Sequence, residues 1–250
     1  MESILRNLNQ SNSPAELTLI IPCFNESNRL PSFLETFVED IPQFLKIIII
    51  DDGSSKDEYQ LLKDQISIYL NESVELHHYE KNLGKFNAIE YGIQLSKSKY
   101  IGFVDADGSV PFYEVLNLWN RAQAFPQIDL LISSRENSQD KKISYSIFRY
   151  LTHKIFIICL KILFKIKVND TQCGLKILKK SIYLEFKNNM INRRWIWDTE
   201  IIILADYYDK PYQEIYIDWK EMSGSKFRIL RDSILMLIDL YEFKKHIRSL

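Results

Sequence analysis

The chain has 250 residues, with 32 Lys and Arg against 33 Asp and Glu, so its formal charge at neutral pH is −1. That balance lacks the basic excess of a dedicated nucleic-acid binder, and 46 % hydrophobic residues is too apolar a share for a disordered chain. Three cysteines without a Cys-x-x-Cys spacing, and no basic and apolar leader at the start, point to reduced thiols in a cytosolic setting and argue against a structural zinc centre.

In chain order, residues 1–16 form a polar tail. Residues 17–22, 46–50, 74–79, 100–104 and 130–133 are short apolar runs rich in β-branched side chains, and they read as buried strands. Between them, residues 30–41, 57–70, 85–96 and 111–124 carry helical patterns, with Pro111 suited to a first turn. The alternation predicts an α/β fold: a mostly parallel central sheet flanked by helices on both faces. Ligands of such sheets bind beyond the carboxyl ends of the strands. No repeat or linker divides the chain, so residues 17–140 and 141–250 read as two halves of one domain.

Polar residues gather where the predicted strands stop. The first runs into Pro22-Cys23-Phe24-Asn25-Glu26, the second into Asp51-Asp52-Gly53-Ser54-Ser55 and the fourth into Asp105-Ala106-Asp107-Gly108. The period of two in an extended chain lets Asp105 and Asp107 point the same way, and Gly108 permits the turn that follows. Two converging carboxylates suit Mg²⁺ or Mn²⁺ carrying phosphate oxygens as further ligands, and a solvated turn is the competing reading. A carboxylate ending the second strand can accept from a nucleobase N–H or a ribose hydroxyl, or belong to a turn and helix cap. Asn82-Leu83-Gly84-Lys85 opens a helix whose first N–H groups, with Lys85, suit an anion. The P-loop and Gly-x-Gly-x-x-Gly spacings are both absent, which lowers a dinucleotide-binding reading.

Taken together, Ile21-Pro22-x-Phe24-Asn25-Glu26, Asp51-Asp52-Gly53-Ser54, Asn82-x-Gly84-Lys85 and Asp105-Ala106-Asp107-Gly108 closely resemble the inverting family-2 glycosyltransferases of the GT-A fold. The second half is similar to the polyprenyl-phosphate sugar transferases, nearest the dolichyl-phosphate β-glucosyltransferases. The segments that carry this are Asp170-Thr171-Gln172-Cys173-Gly174-Leu175-Lys176, Arg194-Trp195-x-Trp197-Asp198-x-Glu200 and Trp219-x-x-x-x-Gly224-Ser225-Lys226. The resemblance spans residues 17–228. It implies a UDP-sugar donor held by Pro22, Asn25, Glu26, Asp52, Lys85, Asp105, Ala106 and Arg228, with Asp107 and Asp105 at a Mg²⁺ or Mn²⁺ ion. It further implies Gln172, Cys173, Trp197 and Ser225 around the sugar and acceptor, and Asp107, Asp198 and Lys226 as the catalytic set.

The implied reaction moves a hexose, glucose by the similarity of these motifs, to a polyprenyl (dolichyl or undecaprenyl) phosphate in one in-line displacement with inversion. Asp198 is implied as a base or an acceptor-positioning residue, while its place before the apolar stretch 201–205 also fits a helix N-cap. A phosphate monoester is already anionic near neutral pH, its second pKa being about 6, so it needs no strong base. A hydroxyl acceptor in polysaccharide or glycan assembly would need one, and that alternative stays open. So do a nucleotidyltransferase, which usually carries a Gly- and Arg-rich loop after its first strand, and a non-catalytic nucleotide-sugar binder.

Residues 141–169 hold seven basic residues and no acidic one. Residues 145–166 have helical character, with Lys154, Lys161 and Lys165 within about 40° of one another at the helical period. This profile fits an amphipathic helix on an anionic membrane surface, or a core helix with snorkelling lysines. Over 228–245, Leu230, Ile234, Leu237, Ile238 and Tyr241 form a second stripe flanked by Arg228, Arg231, Lys244, Lys245 and Arg248. It suits a core, a homo-oligomer contact or the same membrane. No run of 18 apolar residues occurs, so attachment is expected to be peripheral, on the cytoplasmic face of a membrane. Residues 1–140 carry 11 basic and 21 acidic side chains and residues 141–250 carry 21 and 12, so the near-neutral total is the sum of two opposed halves.

Overall fold

The computed structural model describes residues 15–36, 41–135, 147–192, 194–222 and 229–250. Its strands are β1 Leu17–Cys23, β2 Leu45–Asp52, β3 Val74–Tyr79, β4 Tyr100–Phe103, β5 Leu130–Ser134, β6 Lys176–Lys179 and β7 Tyr212–Tyr216. They form one sheet in the order β3-β2-β1-β4-β6-β5-β7. Every strand but β6 runs the same way. The helices are α1 Leu30–Glu35, α2 Lys56–Ile66, α3 Lys85–Leu95, α4 Phe112–Ala124, α5 Ile147–Phe164, α6 Lys180–Phe186, α7 Trp197–Tyr207 and α8 Ile229–Ile247.

The strand period of two builds both cores. Ile20, Ile48, Ile50 and Phe103 point to the face covered by α3, α5, α7 and α8. Leu19, Ile21, Ile47 and Ile49 point to the face covered by α1, α2 and α4. Strands β1 and β2 are buried along almost their whole length, as central parallel strands must be.

The five predicted strands and first four predicted helices are all present, with shorter helices. The helix expected over 30–41 closes at Glu35, where the Thr36 hydroxyl donates back to the Phe33 carbonyl at 2.7 Å. The helix expected over 57–70 ends at Ile66 and continues as a 3₁₀ turn, Ser67–Tyr69. Strands β6 and β7 are additions to the sequence reading. The first is four residues long with lysine at both ends, and the second is a partly exposed edge strand, Tyr-Gln-Glu-Ile-Tyr.

Strand β6 decides where the second half meets the first. It pairs antiparallel with β4, with Lys176 opposite Phe103. Its first residue therefore lies at the carboxyl end of β4, and residues 170–175 arrive at the edge where the Asp105–Asp107 turn begins.

Helices α5 and α8 pack on each other through Phe156, Ile157 and Leu160 against Met236, Leu240, Phe243 and Ile247. Each also bears apolar residues on its far side: Leu151, Ile155, Ile158 and Ile162 on α5, and Ile234, Ile238 and Tyr241 on α8, all about half exposed or more. The lysine stripe expected on the first of these helices is not a single row. Helix α5 ends at Phe164, Lys165 lies beyond it with φ +59°, and Lys161 donates to Asn169 Oδ1 at 2.9 Å. Among the described residues, no helix is long and apolar enough to cross a membrane.

Candidate active site

The loops after β1, β2 and β3 are bound into one unit by buried carboxylates. Asp51 accepts from the Ser54 N–H at 3.1 Å and its hydroxyl at 2.5 Å, and the Ser54 Oγ in turn accepts from the Asn25 N–H at 2.8 Å. Asp52 accepts from the Leu83 and Gly84 N–H groups at 2.8 Å each and from the Tyr79 hydroxyl at 2.7 Å. This carboxylate holds the mouth of α3 in place. Gly53, at φ +72°, is obligatory, because a Cβ there would stand 2.3 Å from the Asn82 nitrogen.

Lys85 opens α3 and forms an ion pair with Asp105. Burial acts to lower the Lys85 pKa, but the charges of Asp105, Asp198 and Asp107 outweigh it and hold the ammonium above its ordinary range. Asp107 accepts from the Ser109 N–H at 3.0 Å, and its Oδ2 lies 4.0 Å from the Arg29 guanidinium. Arg29 donates to both oxygens of Glu26, at 2.7 and 2.5 Å. The hydrogen bond to Glu26 raises the Arg29 pKa despite burial, and the charges of Asp107 and Asp105 raise it further.

From the other side comes the segment before β6. A Cβ on Gly174 would lie 2.3 Å from Asp105 Oδ2, so a larger residue here would have to push this carboxylate aside. Cys173 is fully buried, and that burial pushes its thiol up to about 11. Lys176, without solvent exposure, donates to Asp198 Oδ2 at 2.9 Å and to the Cys173 carbonyl at 3.0 Å. Asp198 is the second residue of α7 rather than its N-cap, which is Ile196, so the capping alternative does not hold. Lys85, Asp105, Asp107, Gly174 and Asp198 thus converge on one edge of the sheet.

A sequence model of glycosyl transferase family 2 matches residues 18–198, a span that contains this whole convergence. The chain belongs to that family.

Among curated relatives of this family-2 chain, the dolichyl-phosphate beta-glucosyltransferase of Dictyostelium discoideum is 30 % identical over 240 residues, covering 91 % of this chain and 73 % of the relative. The Saccharomyces cerevisiae protein of the same description is 31 % identical over 94 % of this chain and 77 % of its own length. The human one is 30 % identical over 84 % and 69 %. Among solved structures, glucosyl-3-phosphoglycerate synthase from Mycobacterium tuberculosis, in complex with Mn²⁺, UDP and glucosyl-3-phosphoglycerate, matches with a TM-score of 0.67 at 13 % identity. That match covers 98 % of this chain and 84 % of the synthase. At that identity it shows the shared fold, the GT-A arrangement expected from the sequence.

The remaining expected site residues fall in different places. Pro22 is buried in β1, Asn25 is exposed with φ +51°, Glu26 is tied to Arg29, and Ala106 is buried between the two aspartates. Gln172 Nε2 lies 3.5 Å from Met236 Sδ, so α8 reaches the site. Trp197 is in the core beneath the site, its ring 4.8 Å from that of Phe103 and 5.6 Å from that of Phe86. Ser225, Lys226 and Arg228 lie outside the described residues. The chain leading to them is anchored beside Asp107, where the Lys220 N–H donates to the Ser109 carbonyl at 2.9 Å.

Four side chains were not singled out by the sequence reading: Arg29, Arg135, Asp170 and Lys176, the last two quoted only within a motif. Asp170 is fully buried and accepts from Arg135 Nε at 2.6 Å, Arg135 Nη2 at 2.9 Å and the Gln172 N–H at 3.0 Å. Burial would raise its pKa, but the guanidinium holds the carboxyl well below the usual range. The available signal was the position of Arg135 two residues after a predicted strand, close to the place where the informative acids also sit.

Asp105 and Asp107 fit a divalent ion on the chemistry of their oxygens. No cluster of three or more His, Cys, Asp or Glu able to hold a metal occurs among the described residues. A cation here would therefore take two protein carboxylates and complete its shell with phosphate oxygens and water, as Mg²⁺ commonly does.

Proposed function

We propose that the chain is an inverting glucosyltransferase that moves glucose from UDP-glucose to a polyprenyl phosphate at a membrane surface. The observation that carries this reading is the similarity to dolichyl-phosphate beta-glucosyltransferases along nearly the whole chain, which includes the segments that meet at Asp105.

In this reading Pro22, Asn25, Glu26 and Lys85 form the nucleotide end, Asp52 holds the loop before α3 in place beneath it, and Asp105 and Asp107 hold a Mg²⁺ or Mn²⁺ ion. When bound, that ion offsets charge on the departing diphosphate. Lys85 supplies a cation fixed in place before the donor arrives, and Arg29 restrains Asp107. Ser225, Lys226 and Arg228 are assigned to the diphosphate by the resemblance alone. The acceptor's anionic oxygen attacks the anomeric carbon opposite the departing UDP, and α-linkage becomes β-linkage. With a nucleophile already ionised, the difficulty is to bring two anions together. The basic second half addresses that problem.

Membrane attachment in this reading uses the outward sides of α5 and α8. On α5 the exposed apolar residues recur at intervals of four, three and four, opposite the face that packs into the core. On α8 Ile234, Ile238 and Tyr241 repeat the pattern, with Lys245 lying 4.5 Å over the Tyr241 ring. An apolar stripe edged by cations suits the headgroup region of an anionic bilayer.

The deciding experiment is release of UDP from a panel of nucleotide sugars, with and without short polyprenyl phosphates. UDP-glucose is expected to give release that polyprenyl phosphate stimulates. Stimulation only by hydroxyl acceptors would replace the lipid reading, and no acceptor-stimulated release from any donor would remove it. Flotation with anionic liposomes at low salt tests the surface: binding is expected, and its loss in Ile158→Glu/Ile238→Glu.

A further inference from the structure

Lys176 opens β6 with no exposure to solvent, where a lysine is almost never found unpaired. Its ammonium lies 5.6 Å from the Phe103 ring centroid and is held by Asp198 Oδ2 and the Cys173 carbonyl. Asp198 is itself only 6 % exposed, and its two oxygens differ. Oδ2 is occupied by Lys176, whereas Oδ1 is buried without a hydrogen-bond partner among the described residues. Buried polar atoms of a native fold are nearly always satisfied, so such an oxygen calls for a donor from outside the described residues, and at the edge of the candidate site a bound ligand can supply it.

The surroundings narrow the kind of donor. Lys176 grips the Cys173 carbonyl, and the next residue, Gly174, abuts the Asp105 carboxylate. Lys85 is paired with Asp105 and lies within the field of Asp198. Asp198 therefore stands next to the donor end. An incoming phosphate brings acceptor oxygens and negative charge, and neither is attracted to a carboxylate. A sugar hydroxyl is neutral and carries a proton to donate.

We propose that Lys176 is a positioning residue for Asp198. It fixes the carboxylate through Oδ2, cancels its charge, and leaves Oδ1 as a single acceptor for a hydroxyl of the hexose in transit. The inference rests on the glucosyl-transfer reading above. It assigns Asp198 to the sugar rather than to proton removal from an acceptor, and it spares an anionic acceptor an uncompensated acid beside the Lys85–Asp105 pair.

The test is calorimetric titration of UDP and of UDP-glucose, each with Mn²⁺, into wild type, Lys176→Met, Lys176→Arg and the double variant Lys176→Met/Asp198→Leu. The double variant replaces the buried ion pair with two apolar side chains, so it retains the fold even where Lys176→Met leaves a buried charge alone. Affinity for UDP-glucose is expected to fall at least tenfold in Lys176→Met and in the double variant, to the same level within threefold, while affinity for UDP stays within threefold of wild type. Lys176→Arg is expected to recover most of the loss. Equal falls for UDP and UDP-glucose would overturn the inference in favour of a structural role, and so would unchanged UDP-glucose affinity in the double variant. If this pattern holds but no polyprenyl phosphate is glucosylated, the acceptor reading fails and the inference about Asp198 stands.

Discussion

The ends of β2 and β4 both carry aspartates at the carboxyl edge of the same sheet, yet the two pairs are used in opposite ways. After β2, Asp51 and Asp52 are almost fully buried and spend their oxygens on backbone N–H groups, hydroxyls and an imidazole of the protein itself. After β4, Asp105 and Asp107 are partly exposed and, among the described residues, meet one backbone N–H between them, with Lys85 and Arg29 as their cationic neighbours. The difference teaches that identity and position alone do not separate a scaffolding carboxylate from one with oxygens left for a ligand. Spare acceptor capacity does. Asp198 sits between the two classes, buried like the first pair and half satisfied like the second.

The contrast can be broken most directly at Asp107. Asp107→Asn is expected to lower transfer by about 10³-fold or more while the melting temperature moves by less than about 2 °C, read by UDP release and a thermal melt. Full activity of that variant in EDTA would place Asp107 with the scaffolding acids.

Asp170 belongs to the scaffold by the same criterion, so its loss should appear in stability. Asp170→Asn leaves the Arg135 guanidinium without its buried counter-charge and is expected to cost about 3 kcal/mol in denaturant unfolding at neutral pH. The pH dependence has a definite sign. The folded-state pKa lies below the unfolded value, so the stabilisation is complete above about pH 4 and is lost as pH falls further. The gap between wild type and Asp170→Asn should therefore narrow on acidification, and a gap that widens would contradict the pairing.

Gly174→Ala sharpens the comparison from the other strand. The added Cβ must turn the Asp105 carboxylate aside while the backbone stays where β6 holds it. Transfer should fall by roughly 10²-fold, about 2.7 kcal/mol in the barrier, with little change in melting. A drop in stability with unchanged kcat would mean that the close approach matters only for packing.

Asp52→Asn gives the smallest effect. One acceptor oxygen becomes an NH₂ group facing N–H donors, and the expected loss is about 1–2 kcal/mol of stability. The donor KM should rise modestly as the 82–84 loop loosens, and kcat per folded molecule should change little. A kcat loss matching that of Asp107→Asn would erase the distinction between the two strand ends.

Much of the front half was legible from the sequence because its strands are continuous apolar runs and its polar residues fall where those runs stop. Leu-Thr-Leu-Ile-Ile-Pro-Cys and Leu-Lys-Ile-Ile-Ile-Ile-Asp-Asp leave little freedom in assignment. The second half was legible as motifs but not as geometry. Strand β6 is four residues long and Lys176 looks like a surface residue. Only its placement opposite Phe103 and beside Asp198 makes burial of a lysine tolerable. Trp197, adjacent to Asp198 and quoted in the same motif, turns into the core because successive residues of a helix face different ways.

By itself, then, the sequence determined the alternating α/β plan, the strand-end acids and the family, since each depends on local pattern or linear order. Tertiary structure alone decided which acids are spent on the fold and which retain an open oxygen. That outcome turns on neighbours 20 to 30 residues or more away, Lys85 for Asp105, Leu83 for Asp52 and Lys176 for Asp198. A hydrogen bond is satisfied in space, and no spacing along the chain records it.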